Sequence, residues 1–476
     1  MSPAGLWMLV AVAVLGVTTG LPVWALLLGV ASLGSIAAWL AGFDVSVIGA
    51  IGPRVINLLE HDLLQAMPLY VFVGVLLQRI AVADAVFATG ERLVGAPIAS
   101  LGVGALIAPM NGSVASSSAL LSRLVAPRLH ALSPPRAMAL IAVAATIGVV
   151  VPPSLVLILL GDAMLRAHTE ASNLPGFVLQ GRIVNTQDIL HAALPPAALV
   201  LLLWAFVAWM EGRAVPRAKV ALSMRQVALA VATTASIVFL LGGVFVGRLF
   251  AVEAAATGGC VLAIGALVTR SLSARQWEEV LRDTLALSGA LFALLVAATS
   301  FSLVFRVFGT DRWLADLVVA SPFPPHLTAA LVLVLVAVCA LALDAFEMIF
   351  VVIPIVAPLL IAQLGDAQQV AVLLLFVLQL SFLLPPLGYA VIMTRARAGL
   401  PPVSNTALLR ALAPFLVTQV AVGMLVFCSP RVTHWLDAPE SAASDPSAPA
   451  ASEDDIVKQM EEMARDPDEA ASAARK

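Results

Sequence analysis

Charged residues are scarce in this sequence, and that scarcity excludes an ordinary soluble protein. Only 12% of the 476 residues are charged and 61% are hydrophobic, whereas soluble domains are about 25% charged and about 45–50% apolar. Glycine and proline, with 31 and 30 residues, are near their usual frequencies, which excludes a collagen-like or low-complexity chain. The three cysteines, Cys260, Cys339 and Cys428, are too few for a disulfide scaffold.

Residues needed for several kinds of chemistry are also missing. A P-loop needs a lysine after glycine, but Lys219, Lys458 and Lys476 have no such context, which excludes ATP hydrolysis by this chain. No His-x-x-x-His pair is present for a zinc protease. The nearest match to a serine-nucleophile motif, at residues 111–113, has no histidine placed to serve it. We therefore expect neither an enzyme nor a nucleic-acid-binding protein.

The net charge of −3 conceals a division of the chain into two parts. Residues 437–476 hold eleven acidic and four basic side chains, whereas the rest of the chain has 22 basic against 18 acidic side chains. We interpret residues 1–430 as an integral membrane body and residues 431–476 as an acidic tail. The tail is rich in Ala, Ser and Pro, so we expect it to be disordered, and we place it in the cytoplasm.

Long apolar runs fill the membrane body. A spanning helix needs about 20 apolar residues to cross ~30 Å of hydrocarbon, and the runs predict roughly ten to twelve membrane segments in an all-α protein. The polar loop at residues 211–226 holds four basic residues against Glu211 alone, so the positive-inside rule makes it cytoplasmic. The first apolar run lacks a basic start, and we interpret it as a retained membrane segment.

Polar interruptions recur at a fixed interval. Asn111 precedes the diproline at Pro152 by 41 residues, Asp344 precedes the diproline at Pro385 by 41, and the two pairs are offset by 233. Matched interruptions in two halves are typical of the central site of secondary transporters. We predict two repeats, at about residues 67–210 and 284–428. The alternative is coincidence among many prolines.

The two diprolines predict broken helices. Proline has no N–H, so the carbonyls of Gly148 and Val149 in the first helix lose their donors, as do those of Ser381 and Phe382 in the second. Such oxygens are tolerated at membrane depth only where protein, water or an ion meets them, and Na⁺ is a natural partner. The half-helices that follow present N–H groups to an anion, near Ser154 and Gly388. The alternative is a packing kink.

The segment at residues 99–125 predicts a re-entrant hairpin. Asn111-Gly112-Ser113 interrupts an apolar run whose halves, at about 12 residues each, are too short to cross. A second hairpin is predicted to turn near Asp344, our first choice of side chain for an ion ligand or for a neighbour of one. The alternative is one long kinked helix that uses small residues for close packing.

Six stretches together resemble a known family. They are residues 67–74 (MPLYVFVG), 110–116 (MNGSVAS), 151–162 (VPPSLVLILLGD), 252–258 (VEAAATG), 343–349 (LDAFEMI) and 383–388 (LLPPLG). In order and spacing they resemble the large membrane subunit of tripartite ATP-independent periplasmic (TRAP) transporters. Residues 153–162 and 346–358 look like the branch usually labelled mannitol or chloroaromatic, from which we infer only a small carboxylate as substrate.

The resemblance implies a fold and a mechanism. The fold is two inverted repeats, each with a re-entrant hairpin and a broken helix, forming a transport domain that moves like an elevator against a scaffold. The function is Na⁺-driven uptake of an organic acid across the bacterial inner membrane, with a soluble periplasmic binding protein and a separate small membrane subunit as partners. A binding-protein-independent Na⁺ or H⁺ symporter of related fold and an intramembrane enzyme are the alternatives.

The resemblance also implies where the ligands bind. It places two Na⁺ sites where hairpin tips meet broken helices. One would be formed by Asn111, Gly112, Ser113, Gly148, Val149 and Pro152, and the other by Asp344, Ala345, Ser381, Leu384 and Pro385. The candidate substrate contacts are Ser116, Ser154, Gly388 and Tyr389.

Overall fold

The chain folds into helices, as predicted. The computed structural model describes residues 4–437 except 45, 61, 112, 153, 173–183, 214–221, 320 and 342. Inside helices, the backbone alone is described for a further set: residues 17, 47, 48, 57, 58, 62, 63, 110, 111, 251 and 319. The described part of the chain contains helices and no strand. Residues Met1–Leu436 form one compact unit, and only Asp437 of the remaining unit is described.

Twenty α-helices make up the described part of the chain. They are α1 Ala4–Thr19, α2 Val23–Leu40, α3 Ile51–Leu59, α4 Asp62–Arg79, α5 Val82–Val94, α6 Ala96–Asn111, α7 Val114–Val125, α8 Pro134–Val150, α9 Leu155–Ala171, α10 Thr186–Gly212, α11 Met224–Phe245, α12 Ala251–Val268, α13 Ala274–Val307, α14 Thr310–Val319, α15 Pro325–Cys339, α16 Ala345–Glu347, α17 Ile353–Leu364, α18 Ala367–Phe382, α19 Tyr389–Arg397 and α20 Asn405–Cys428. Short 3₁₀ helices lie at Ser46–Ala50, Ala126–Arg128 and Pro430–Val432, and a π-helical turn, Met348–Val352, joins α16 to α17.

The apolar helices fall into two classes by length. In the part of the chain that the structure describes, six helices are long and apolar enough to span, or up to eight if each of two bent helix pairs is one span. Five more apolar helices are only 10–17 residues long. The ten to twelve predicted membrane segments therefore include both spanning helices and shorter apolar helices.

The ends of several helices define two faces of the molecule. Near Gly212, where α10 ends, Glu211 pairs with Arg136 at the start of α8 (3.9 Å), and we call this face the basic end. Arg213 and Arg225 flank the basic loop there, so the positive-inside rule makes it cytoplasmic. At the other face, which we call the opposite end, Glu170 of α9 pairs with Arg306 of α13.

The chain leaves the helical body at the opposite end. Helix α14, at 10 residues, is too short to cross, so α15 begins on the face where α13 ends. There, His326 of α15 packs its ring against Phe427 at the end of α20, with centroids 6.1 Å apart. His434 then pairs with Asp366 at 2.7 Å. These contacts place residues 431–437 at the opposite end, away from the basic loop, whereas the sequence predicted a cytoplasmic tail; residues 438–476 lie outside the described residues.

Two central helices carry the core. Every residue of α8 from Ala137 to Val150 is buried, and α18 is buried along nearly its whole length. Uniformly apolar, buried helices of this kind belong to the interior of a membrane bundle, since a lipid-facing helix leaves one face exposed. The two helices contact each other, and α10 and α20 contact both of them.

The helices around this core form two corresponding sets. The first set is α6, α7, α8 and α9, and the second is α15, α17, α18 and α19. Helix α7 contacts α19, and in the corresponding way α17 contacts α9; likewise α8 contacts α19 while α18 contacts α9. The returning arm of each hairpin, α7 or α17, therefore packs on its own broken helix and on the last part of the other one.

Candidate functional site

Two glycines set the register between α6 and α8. A Cβ atom on Gly104 would lie 2.5 Å from the carbonyl oxygen of Ala144, and one on Gly148 would lie 2.5 Å from the carbonyl of Ala108. The small residues thus alternate between the two helices and let the backbones touch. Both contacts pair residues 40 apart in the chain, so the helices run parallel and Asn111 at the end of α6 is level with Val151.

This register requires a hairpin. Helices α6 and α8 run in the same direction, so α7 between them must return to the starting face. Gly212 at the basic end packs on Pro97 at the start of α6, because a Cβ added to Gly212 would lie 3.1 Å from the Pro97 Cγ. The hairpin therefore opens from the basic end, and its tip lies beside the break in the α8–α9 helix.

At the first hairpin tip, Ser113 is the described residue that joins the two arms. Its backbone is extended and its carbonyl accepts a hydrogen bond from the N–H of Ser117 (3.0 Å). The side chain of Asn111 and all of Gly112 lie outside the described residues. One turn into α7, the Ser116 hydroxyl accepts a hydrogen bond from Gln78 Nε2 of α4 (2.5 Å). Ser116 is therefore tied to α4, and this partner was absent from our predictions.

The first broken helix has prolines where two of its carbonyls would otherwise find a backbone donor. Helix α8 ends at Val150, α9 begins at Leu155, and the two are bent by 42°. The N–H of Val151 still reaches Ile147 (3.1 Å), but the next two positions are prolines, so Gly148 and Val149 have no donor four residues on. Pro153 lies outside the described residues. The fully buried Ser154 caps α9, its Oγ accepting from the N–H of Leu157 at 3.1 Å.

The second hairpin turns at Asp344, where the chain is irregular between α15 and α16. The Asp344 carboxylate accepts a hydrogen bond from the N–H of Ala345 (2.7 Å), and the Glu347 carboxylate accepts one from the N–H of Asp344 (3.0 Å). These reciprocal bonds form a capping box. Both carboxylates therefore turn back onto the start of the helix that they stabilise.

The second broken helix differs from the prediction at one oxygen. Helix α18 ends at Phe382 and α19 begins at Tyr389. The carbonyl of Ser381 is not freed, because it accepts a hydrogen bond from the N–H of Leu384, three residues on (3.2 Å). The carbonyl of Phe382 does lose its donor to Pro386, and it lies 2.6 Å from where a Cβ of Gly388 would be.

The connection across this break is tight. The bond between Pro385 and Pro386 is cis, and the N–H of Gly388 donates to the carbonyl of Leu384 at 2.7 Å. Gly388 is buried and is the residue before α19. Tyr389 packs on Phe382 across the break, with ring centroids 6.3 Å apart. The two substrate candidates Gly388 and Tyr389 lie at the start of α19. This helix contacts α7, which carries Ser116.

Corresponding positions of the two sets meet at the centre of the molecule. Gln379 of α18 donates from Nε2 to the carbonyl of Thr146 of α8 at 3.2 Å, and these residues are 233 apart. That separation equals the offset between Pro152 and Pro385. Gln419 of α20 joins the network by donating to Gln379 Oε1 (2.7 Å). Gln379 is fully buried and holds two helices together.

Acidic and histidine side chains do not cluster around these breaks. Among the described residues, no group of three or more His, Cys, Asp or Glu side chains could hold a metal ion. A cation at either break would therefore depend mainly on backbone carbonyls and hydroxyls, with Asp344 as a carboxylate at the second tip, and such ligands suit an alkali cation better than a transition metal.

A cavity of about 640 Å³ lies at the opposite end beside the second hairpin. It is bounded by α9, α13 and the π turn, and its charged lining residues are Arg54, Asp162, Arg166, Glu170 and Arg306. Asp162 pairs with Arg166 (2.9 Å) and Glu170 with Arg306, while the structure gives Arg54 no partner among the described residues. The cavity therefore carries an excess of positive charge, which suits an anion.

Comparison with known proteins covers almost the whole membrane body. The family described as "Tripartite ATP-independent periplasmic transporter, DctM component" matches residues 7–432. The sialic acid TRAP transporter large permease protein SiaM of Vibrio cholerae is 22% identical over 387 residues, which are 79% of this chain and 86% of that protein. The C4-dicarboxylate TRAP transporter large permease protein DctM of Pseudomonas aeruginosa is 22% identical over 411 residues, which are 83% of this chain and 91% of that protein.

Two further comparisons extend this likeness. The 2,3-diketo-L-gulonate TRAP transporter large permease protein YiaN of Escherichia coli is 24% identical over 391 residues, covering 78% of this chain and 85% of that one. Among solved structures, the Alcanivorax borkumensis YdaH transporter superposes with a TM-score of 0.57 at 16% identity, over 80% of this chain and 87% of that chain. At this identity the structural likeness shows the fold alone.

Proposed function

The chain belongs to the DctM-component family of TRAP transporters, and from this premise we propose that it carries a small organic acid across the membrane together with Na⁺. It is a large permease and a multi-pass protein of the bacterial inner membrane. The observation that carries the proposal is the contact of each hairpin's returning arm with the broken helix of the other set, α7 with α19 and α17 with α9. Ligands bound between these elements would be held by both sets of helices at once, so the two sets and the ligands would move as one body.

We propose that the two sets are inverted repeats. The first hairpin opens from the basic end, whereas α15 begins at the opposite end, so corresponding helices run in opposite directions. The bond between Gln379 and Thr146 supports a two-fold axis between α8 and α18, because only near such an axis do corresponding residues meet. Inverted repeats with broken helices at their interface are typical of secondary transporters.

The proposed substrate is a small carboxylate. The relatives are named for sialic acid, C4-dicarboxylates and 2,3-diketo-L-gulonate, all of which are organic acids. Helices α9 and α19 begin inside the bundle, and the positive end of a helix dipole stabilises a carboxylate placed there. The cavity at the opposite end, with Arg54 and Arg306 in its lining, supports an opening for such an anion from the periplasm.

The proposed coupling ion is Na⁺, held at each hairpin tip. For the first site, the donor-free carbonyls of Gly148 and Val149 and the adjacent Ser113 fit a cation that binds oxygen. For the second site, the carbonyls of Ser381 and Leu384 already accept one hydrogen bond each, so they could offer only their second lone pair. We therefore propose that the first site binds Na⁺ with less rearrangement than the second.

The family's description as tripartite supports two partners: a small membrane subunit and a soluble periplasmic binding protein. The test is uptake of labelled organic acids into proteoliposomes that contain this chain, the small subunit and the binding protein, with each component omitted in turn. Uptake that needs all three supports the tripartite proposal. Uptake by the chain alone would indicate a binding-protein-independent symporter, and turnover without any gradient would contradict a transport function.

A further inference from the structure

A second cavity, of about 540 Å³, lies at the basic end, away from both helix breaks. It is enclosed by the end of α5, the start of α6, the turn after α7 and the end of α10. Gly95, Arg128 and His130 form one side, and Trp209 and Arg213 form the other. None of these residues takes part in the site proposed above.

The charges in this cavity are mostly positive. Glu91, only 4% exposed, is its one carboxylate, and it is bonded to Arg128 at 2.5 Å. Arg213 lies 3.8 Å above the ring of Trp209, and the structure gives it no ion pair among the described residues. The nearby Glu211 is turned to Arg136. Glu91 thus balances the positive charge of Arg128, whereas the positive charge of Arg213 is available to a ligand.

The rim of the cavity is apolar. Leu93 and Val94 at the end of α5 are 70% and 46% exposed, and Phe206, Trp209 and Met210 of α10 are 55%, 44% and 54% exposed. Helix α10 is long and apolar enough to span the bilayer, and the exposed apolar side chains of α5 and α10 beside the cavity suit contact with lipid. Cations above an apolar, aromatic rim are the arrangement expected at the level of lipid headgroups.

We propose that this cavity binds the phosphate headgroup of an anionic phospholipid from the cytoplasmic leaflet. Arg213 and Arg128 contact the phosphate, and the acyl chains lie along the apolar rim of α5 and α10. A free phosphate would use the same two arginines but would leave this rim unused. The inference does not depend on the proposed substrate or coupling ion, because it concerns a different cavity.

The experiment is native mass spectrometry of the full purified chain, titrated with phosphatidylglycerol or with phosphatidylcholine of the same acyl chains. We expect Arg213→Gln to weaken phosphatidylglycerol binding by about fivefold and to leave phosphatidylcholine binding unchanged. The matched control is Arg225→Gln, which removes an exposed arginine at the same end but outside the cavity. Equal effects of the two substitutions would overturn the proposal.

A second variant keeps the test decisive if Arg213→Gln does not fold. Glu91→Gln removes the carboxylate that balances Arg128, so phosphatidylglycerol binding should become about fivefold tighter. Weaker or unchanged binding in Glu91→Gln would count against the site. Displacement of the bound lipid by an equal concentration of inorganic phosphate would show that the cavity takes a free phosphate instead.

Discussion

At the scale of single residues, close packing of glycine decides how the first hairpin meets its broken helix. Gly148 has the backbone of Ala108 where a side chain would begin, so the α6–α8 contact is possible only without a Cβ there. The same residue carries one of the donor-free carbonyls. A substitution at Gly148 therefore changes the packing of the site and the position of a proposed ligand together.

We predict that Gly148→Ala destabilises the protein and impairs uptake. An added methyl group 2.5 Å from backbone atoms forces the two helices apart, at a cost of about 1–3 kcal/mol. The measurement is the thermal unfolding midpoint in detergent, followed by uptake in proteoliposomes. Gly102→Ala is the control, because it lies on α6 with open space around it. Similar midpoints for the two variants would contradict a close contact at Gly148.

Substitutions at Asp344 can distinguish its role as a helix cap from a role in Na⁺ binding. Asparagine caps a helix about as well as aspartate, so Asp344→Asn should fold normally. It should nevertheless raise the Na⁺ concentration for half-maximal uptake by about tenfold or more, as loss of a ligand's neighbour does in metal sites. Asp344→Ala should in addition lose about 1 kcal/mol of stability with the cap. If Asp344→Asn keeps normal Na⁺ dependence, the carboxylate only caps the helix.

Residue types could be predicted from the sequence better than residue roles. The polar breaks at Ser113 and Asp344 are visible in the sequence because they interrupt apolar runs. The capping bond, which the N–H of Ala345 donates to Asp344, depends on local backbone geometry. The buried bond that Gln379 donates to Thr146 depends on a distant helix. Gln78 and Gln419 were missed, although amides in apolar helices signal a hydrogen bond to a neighbouring helix.

At the scale of elements, proline has different effects in different helices. Pro152 and Pro385 lie at breaks, but Pro195 and Pro196 lie inside α10, which continues unbroken from Thr186 to Gly212. A diproline is therefore not sufficient to break a helix. Both broken helices carry their diproline at the level of a hairpin tip, where non-helical backbone is enclosed by protein.

We predict that glycine at both Pro152 and Pro153 impairs Na⁺ coupling. The new N–H groups can satisfy the carbonyls of Gly148 and Val149 and so compete with a cation for them. The Na⁺ concentration for half-maximal uptake should then rise by about tenfold or more. The control is glycine at both Pro195 and Pro196, where the helix is continuous. Unchanged Na⁺ dependence in the first variant would rule out a role for the freed carbonyls.

The breaks and hairpins were predictable as elements, whereas the number of spans was not. Proline and polar residues mark interruptions in the sequence, and α8, α9, α18 and α19 begin or end close to them. An apolar run shows that a segment lies in the membrane but not whether it crosses it. Helices α6 and α15 are as apolar as spanning helices, yet each ends at a tip.

At the scale of the whole molecule, the direction of each helix fixes the side on which the chain leaves the membrane. The acidic composition of the tail carried no information about that side, because acidic residues contribute little to orientation. Packing does carry it: His326 on Phe427 and His434 on Asp366 both place the end of α20 opposite the basic loops.

We predict that Trp435 faces the periplasm. A variant without the three native cysteines and with Trp435→Cys should react with a membrane-impermeant thiol reagent in intact cells, since Trp435 is 77% exposed. Arg225→Cys in the same background, at the basic end, should react only after the cells are opened. Labelling in the reverse order would show that the orientation is inverted.

We propose that, in the molecule as a whole, two hairpin tips and two broken helices couple Na⁺ to the movement of an organic acid. The most direct measurement is the initial rate of organic acid uptake by the complete reconstituted system as external Na⁺ is varied, with K⁺ replacing it. We predict no uptake in K⁺ alone and a sigmoidal dependence on Na⁺, as expected for more than one Na⁺ site. Uptake that is equal in K⁺ and in Na⁺ would contradict the claim.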